Sequence, residues 1–314
     1  MSAAQREAGA APHADAPARS RRTGSQAEQD QVEGPVPTTV GAPAAKDASG
    51  IQSVHRAMRL LSFFAAESDP GQRRTRWSVS DLARASGLHK SVVARLMATM
   101  AIHGFVIQEP ISRTYSIGPE AFAVGRSYEP YAVLDQVARP VMERLTAECG
   151  HASYLGVPAV DHYVFLLSCE STRSIRVAIE VGERRQYHAG AIGKALISGL
   201  DDARIRQIVG PEPLLKLTDF TIDSTDALLT EIAEVRRTGV AFNRQESILG
   251  AGSVAVSIRG AAGDAVAGLG IVYPTHVVTD REVQALATIV IQAGREIKER
   301  LRGGHAQTEN SLGD

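Results

Sequence analysis

The chain holds only two cysteines, Cys149 and Cys169. Two thiols cannot build a disulfide framework or a four-thiolate zinc site. No stretch comes near the roughly 20 apolar residues that span a bilayer. The first residues lack the apolar segment of a secretory signal. A cytoplasmic protein that avoids the membrane is the expectation. Charge of one sign is missing as well: 34 Lys and Arg stand against 35 Asp and Glu, a formal net charge of -1. What is present is ordinary soluble composition, with 44% hydrophobic and 22% charged residues. At one domain per about 150 residues, a 314-residue chain has room for about two.

The near-neutral total hides an uneven distribution. Residues 51–118 carry nine Lys or Arg against four Asp or Glu, whereas residues 119–314 carry 20 against 25. The basic block is where a polyanion would bind. Residues 1–49 are rich in Ala, Pro, Gly, Ser and Gln, have no aromatic residue, and offer only Val32, Val36 and Val40 as large aliphatics. Such a stretch cannot bury enough apolar area to offset its ordering entropy. Residues 1–50 are therefore expected to be a disordered tail, with Arg19, Arg21 and Arg22 solvated.

Pattern begins at Ile51. Val54, Ala57, Met58, Leu61 and Phe64 recur at helical spacing, and the turn signal Ser68-Asp69-Pro70-Gly71 should close that helix. Ser78-Val79-Ser80-Asp81 fits a capping box and opens a short helix with Val79, Leu82, Ala83 and Ala85, stopping at Gly87. A third helix follows at once, with Val93, Leu96, Met97 and Met100 as its buried stripe. Phe105–Gln108 and Thr114–Ile117 read as a hairpin, with Phe105 and Ile107 on one face and Tyr115 and Ile117 on the other strand's. Three helices and a hairpin in under seventy residues describe a winged helix-turn-helix over residues 51–118.

A connecting helix is expected at 119–129. Residues 130–302 then form a second domain that opens with an amphipathic helix carrying Val133, Val137, Val141, Met142 and Leu145. Strands are expected at Ala152–Val157, Tyr163–Ser168, Ile175–Val181, Ser253–Ile258 and Val266–Tyr273. Helices are expected at 193–200, 201–209, 225–238 and 279–302. Short links between neighbouring strands imply a mostly antiparallel sheet and an α+β fold. Residues 303–314 are expected to be a second disordered tail.

In a helix-turn-helix the second helix lies in the major groove, and its N-terminal residues reach base edges. With the apolar stripe facing inward, Ser91, Arg95 and Ala98 point outward, flanked by Ala94 and Thr99, with Lys90 at the helix start. Arg95 can pair bidentately with guanine. Ser91 can reach a phosphate or a base. Arg113 falls at the wing tip. Arg56, Arg73, Arg74 and Arg76 are candidates for phosphate contacts, which position without specifying.

Two glycine motifs invite other readings. Ala189-Gly190-Ala191-Ile192-Gly193-Lys194-Ala195 has the Gly-Lys of a phosphate loop, but His188 stands where the first Gly belongs and Ala195 where Ser or Thr would hold magnesium. Gly250-Ala251-Gly252-Ser253 imitates a dinucleotide fingerprint, yet Val254, Val256 and Ile258 alternate like a strand where a helix is required. His151, His162, His188 and the two cysteines show no metal-ligand spacing. They are expected to be core or hydrogen-bonding residues, so no enzyme activity, metal or cofactor is expected.

These segments resemble the isocitrate lyase regulator (IclR) family. Ile51-Gln52-Ser53-Val54-His55-Arg56-Ala57 is similar to the family's opening. Ser80 to Leu96 is similar to its helix-turn-helix. His103-Gly104-Phe105-Val106 and Tyr115-Ser116-Ile117-Gly118 resemble its wing, and His188-Ala189 with Gly193-Lys194-Ala195-Leu196 its second strong motif. The resemblance runs from about Ile51 to about Leu301. It implies a transcription regulator with a GAF-like effector-binding domain, working as a homodimer or homotetramer on a palindromic operator in double-stranded DNA. Val92 stands where the family usually has Thr, and Ala94 where a polar residue or His is common. Both could meet a thymine methyl.

For the small-molecule effector, the resemblance implies that the amides of Ala191 and Ile192 receive a carboxylate. It implies further pocket positions at Asn243, Ala251, Ser253, Gly270 and Val272. Members that bind two- or three-carbon acids typically carry Asp at the first of these five and Ser at the last two. Asn243, Gly270 and Val272 should make the pocket roomier, less polar and less negative, which favours an aromatic acid or related compound. Two other readings stay open: a small-molecule enzyme, and a constitutive DNA-binding protein whose second domain only oligomerises.

Overall fold

The structure, a computed structural model, describes residues 50–310 apart from 66, 70, 71, 172 and 175. The expected disordered tail over 1–49, with its three arginines, and residues 311–314 lie outside the described residues.

Helix α1 (Gln52–Ser62) stops earlier than its periodicity suggests. A short antiparallel pair, β1 (Glu67–Asp69) and β2 (Gln72–Arg73), follows, so the Pro70-Gly71 signal belongs to a link between strands. α2 (Val79–Ser86) begins where Ser78 Oγ accepts from the Asp81 N–H at 3.1 Å, satisfying a first-turn donor. Gly87 ends it in left-handed backbone, φ 69°, a conformation that costs glycine little. α3 (Lys90–Ile102) is capped by His89, whose Nδ1 accepts from the Ser91 N–H.

The wing strands β3 (Val106–Gln108) and β4 (Tyr115–Ile117) pair antiparallel, Val106 opposite Ile117 and Gln108 opposite Tyr115. Paired residues share a face, so Val106 is buried with Tyr115 while Ile107 is exposed. This reverses the expected phase of the first wing strand, in which Phe105 and Ile107 shared a face. Phe105 lies before the strand and packs sideways on the core. Trp77 exchanges two backbone hydrogen bonds with Tyr115, tying the start of α2 to the wing. Leu60, Leu82, Val93 and Met97 form the fully buried centre. Each contributes about 1.5–3 kcal/mol by leaving water.

After α4 (Pro119–Arg126) and α5 (Glu129–Cys149) comes a six-stranded sheet. Its strands are β5 (Ala152–Pro158), β6 (His162–Cys169), β7 (Arg184–Gln186), β8 (Ala241–Arg244), β9 (Ala251–Arg259) and β10 (Ala265–Pro274). The order is β7-β6-β5-β10-β9-β8, and every pairing is antiparallel. The fold is α+β. On one face α6 (Ala191–Ile197), α7 (Asp202–Val209) and α8 (Thr225–Thr238) pack through Leu196, Ile205, Leu228 and Ile232. On the other, α5 and α9 (Asp280–Asn310) pack through Val141, Met142, Val290 and Ile297. Val254, Val256 and Ile258 of β9 turn to the α5 and α9 side, and Ala255 to the α6 side.

Two expectations fail here. No strand forms among the described residues of 175–181. Tyr154 Oη donates to the Val177 carbonyl and accepts from the Ile179 N–H, both at 3.1 Å, so a side chain satisfies the backbone that a neighbouring strand would otherwise pair. The last helix also continues through Gly303 and Gly304 to Asn310, into the tail expected to be disordered. Two glycines cost about 1 kcal/mol each in a helix, but the Ala, Gln and Glu that follow are favourable helix residues. No helix of the described residues is long and apolar enough to cross a membrane.

Candidate functional site

The outward face of α3 is as the spacing predicts. Ser91, Arg95, Ala98 and Thr99 are exposed, Val92 and Ala94 half-buried, and Lys90 opens the helix exposed. Ser91 Oγ lies 2.8 Å from His89 Nδ1, so the hydroxyl supports the cap as well as the surface. Arg113 is exposed at the wing tip, φ 56°, where a left-handed residue closes the Glu109–Arg113 turn. Beside it Ile111 is 93% exposed. Arg56 is half-buried on α1.

Two expected phosphate contacts are otherwise engaged. Arg74 pairs with Asp81 and lies 4.4 Å over the Trp77 ring. Arg76 pairs with Glu109 at 3.7 Å. The first holds the segment before α2 to that helix and the second holds it to the wing, and no sequence spacing announces those partners. The Asp81 carboxyl is held below its usual range by the Ser78 hydroxyl, Arg74 and Arg84. The Arg73 side chain lies outside the described residues.

In the second domain all seven residues expected at the effector site line one narrow, nearly filled cavity with about 20 Å3 of water-accessible space. Register explains the convergence. Asn243 of β8 lies opposite Ser253 of β9, which lies opposite Val272 of β10. Ala251 and Gly270 sit on neighbouring rungs, and Ala191 and Ile192 close the cavity from the first turn of α6. First-turn amides have no helical acceptor of their own. Residues missed in sequence complete the wall: Tyr163, Phe165, Val177, Ile179, Ile248, Ser247 and Arg185. Tyr163 and Phe165 meet edge-on at 5.2 Å. Arg185 pairs with Glu183. Asn243 accepts from the Glu246 N–H at 2.7 Å and donates to Ser247 Oγ at 3.1 Å, so its amide shapes the 243–247 turn.

The expected extra room at Gly270 is absent. A Cβ there would stand 3.0 Å from Ile192 Cγ1 and 3.2 Å from its Cδ1. Added to Gly268 it would meet Ile192 at 3.0 Å, and to Gly156 at 2.9 Å. Ile192 fills the space that these three glycines leave. The cavity wall is less polar than one carrying Ser at 270 and 272, but not wider at that point.

The Gly-Lys motif serves the interior. Lys194 is fully buried and its Nζ reaches both Glu246 carboxylate oxygens at 2.8 Å, with Glu231 at 3.4 Å. His188 Nε2 meets the Leu215 carbonyl at 2.9 Å, and burial lowers its pKa below 6.5. The helix α6 starts after His188-Ala189-Gly190, and β9 begins at Ala251 inside the second glycine motif; neither is a nucleotide loop. Burial raises the Cys149 and Cys169 thiols and lowers His151. No group of three or more metal-capable side chains gathers among the described residues.

A winged helix-turn-helix followed by an α+β domain around a small-molecule cavity defines a ligand-responsive DNA-binding regulator. Residues 131–299 match the model of the bacterial transcriptional regulator IclR C-terminal domain, and residues 53–110 that of the IclR helix-turn-helix domain. The chain belongs to the IclR family of transcription regulators. It is 30% identical over 269 residues to the acetate operon repressor of Salmonella typhimurium, spanning 84% of this chain and 96% of that one. The fold matches an IclR transcriptional regulator of Silicibacter sp. with TM-score 0.70 and 27% identity, over 79% of this chain and 96% of that one. It also matches an IclR homologue of Microbacterium hydrocarbonoxydans complexed with 4-hydroxybenzoate, TM-score 0.64 and 23% identity, over 80% and 99%.

Proposed function

We propose that this regulator binds a two-fold symmetric operator as a dimer or tetramer and is switched by an aromatic acid or a related aromatic compound. Residues 51–118 are its DNA-binding domain, 119–129 the connector and 130–302 the effector domain. Arg95 reads a base edge, Lys90 and Arg56 hold phosphates, Ser91 reaches a phosphate or a base edge, Val92 and Ala94 offer apolar contact, and Arg113 meets the backbone or minor groove from the wing. Pairing is supported by apolar side chains that the chain leaves exposed: Ile51 just before α1, Val54 and Met58 along it, and Phe122 on α4.

The observation that carries the effector reading is the cavity wall. Ala191, Ile192, Asn243, Ala251, Ser253, Gly270 and Val272 meet there with Phe165, Tyr163 and Ile179. A carboxylate at the Ala191 and Ile192 amides would leave a ring against Ile192, Val272 and the two aromatic side chains. The homologue solved with 4-hydroxybenzoate shares this fold. A ligand shifts the DNA-binding equilibrium only by its differential affinity for two arrangements, typically about 1–3 kcal/mol. Calorimetry with a panel of aromatic and short-chain acids tests the reading. Aromatic acids are expected to bind more tightly, and Val272→Ser to weaken them. Tighter binding of glyoxylate or pyruvate than of every aromatic compound overturns it.

A further inference from the structure

Past Ala255 one side of β9 is uncovered. β8 pairs with it only from Gly252 to Ala255, so Val256–Arg259 have no strand neighbour on that side among the described residues. The end of α8 and one face of α9 frame the gap as a groove of about 330 Å3. Gly294 lets α9 come this close: a Cβ there would lie 2.5 Å from Val256 Cγ2. The charged lining is of one sign, Arg236, Arg259, Arg295 and Lys298, with no carboxylate among the lining residues. That stands out in a region carrying five more acidic than basic groups.

The four cations differ. Arg236 is structural: it donates to the Ser198 carbonyl at 3.0 Å and the Leu200 carbonyl at 2.7 Å, and pairs with Asp202 at 2.9 Å. Arg259 donates to the Gly263 carbonyl at 3.0 Å and Ser198 Oγ at 3.3 Å, both neutral acceptors that leave its charge uncompensated. Arg295 and Lys298 project from one face of α9, three residues apart. Ser257 is also in the lining, but its Oγ is buried without a hydrogen-bond partner among the described residues. That hydroxyl is closed off from the groove, and the cations define the site: a concave surface of one charge sign concentrates counter-ions.

We infer that this groove binds a compact polyanion, a small molecule bearing two or more phosphate or carboxylate groups, separately from the cavity under α6. The guanidinium fork of Arg295 suits either group bidentately, and Arg259 and Lys298 add positive charge beside it. The site is independent of which effector fills the other cavity.

Calorimetric titration of the full chain with inorganic pyrophosphate and with citrate, at low salt, tests this. Saturable binding of one anion per chain is expected. Arg295→Ala and Lys298→Ala should each weaken it by roughly tenfold. Arg300→Ala removes the same charge from the same helix, but Arg300 pairs with Glu296 at 2.7 Å and is outside the groove lining, so affinity should hold. A preference for pyrophosphate assigns phosphate as the recognised group, and a preference for citrate assigns carboxylate. Matching melting curves show that the variants are folded. Absence of saturable binding of both anions, or equal weakening by Arg300→Ala, overturns the proposal.

Discussion

On α3 the candidate DNA contacts Lys90, Ser91, Val92, Ala94 and Arg95 fall within one short stretch of a single helix. The seven candidate effector contacts come from α6, β8, β9 and β10. The first set is exposed or half-buried and makes little of the core. Every member of the second is buried, and Ile192 and Val272 belong to the core itself. The exposed face can be changed without repacking, so its sequence is free to follow an operator. At Gly270 an added side chain meets Ile192, so ligand preference and stability are coupled there.

The sharpest test of that contrast is the buried ion pair beside the cavity. Lys194→Ala leaves Glu246, 5% exposed, without its bidentate partner. Removing one member of a buried pair costs about 3–5 kcal/mol. Chemical denaturation should show that loss, and a variant as stable as the parent would break the claim that the Gly-Lys motif is structural. Arg95→Ala should do the reverse. Specific operator affinity should fall by about 1–3 kcal/mol with the melting temperature unchanged, as read by gel-shift titration and thermal melts.

Gly270→Ser separates the two descriptions of the cavity. If the glycine left free space, the added side chain would be tolerated. Because Ile192 already occupies it, overpacking should destabilise the domain by about 1–3 kcal/mol. An unchanged unfolding midpoint would show that Ile192 can move aside. The smallest effect expected is with pH. Burial holds His188 neutral by lowering its pKa below 6.5. The unfolded chain binds that proton more readily, so this contribution is present above pH 6.5 and is lost as pH falls through the folded value. The melting temperature should drop on acidification, and less in His188→Gln; an equal drop in both would assign the effect elsewhere, such as to His151, whose pKa burial also lowers.

Whatever depends on near neighbours in the chain can be read from residue order alone. The Ser78 capping box, the Gly87 stop, the inward stripe of α3 with Arg95 opposite it, the paired central strands and most helices follow from local hydrogen bonding and hydrophobic period. The resemblance to a known family supplied the positions of the cavity residues, but not their surroundings. Tertiary structure alone decided the rest, because each case turns on a partner distant in sequence. Tyr154 holds residues 177–179 away from the sheet, Arg74 and Arg76 are drawn to Asp81 and Glu109, and Lys194 finds Glu246. Ile192 sinks onto Gly156, Gly268 and Gly270, from two strands that no spacing in the chain connects to it. A side chain's period shows which way it faces, whereas its partner is fixed only when strand register and helix packing bring remote segments within a few ångströms.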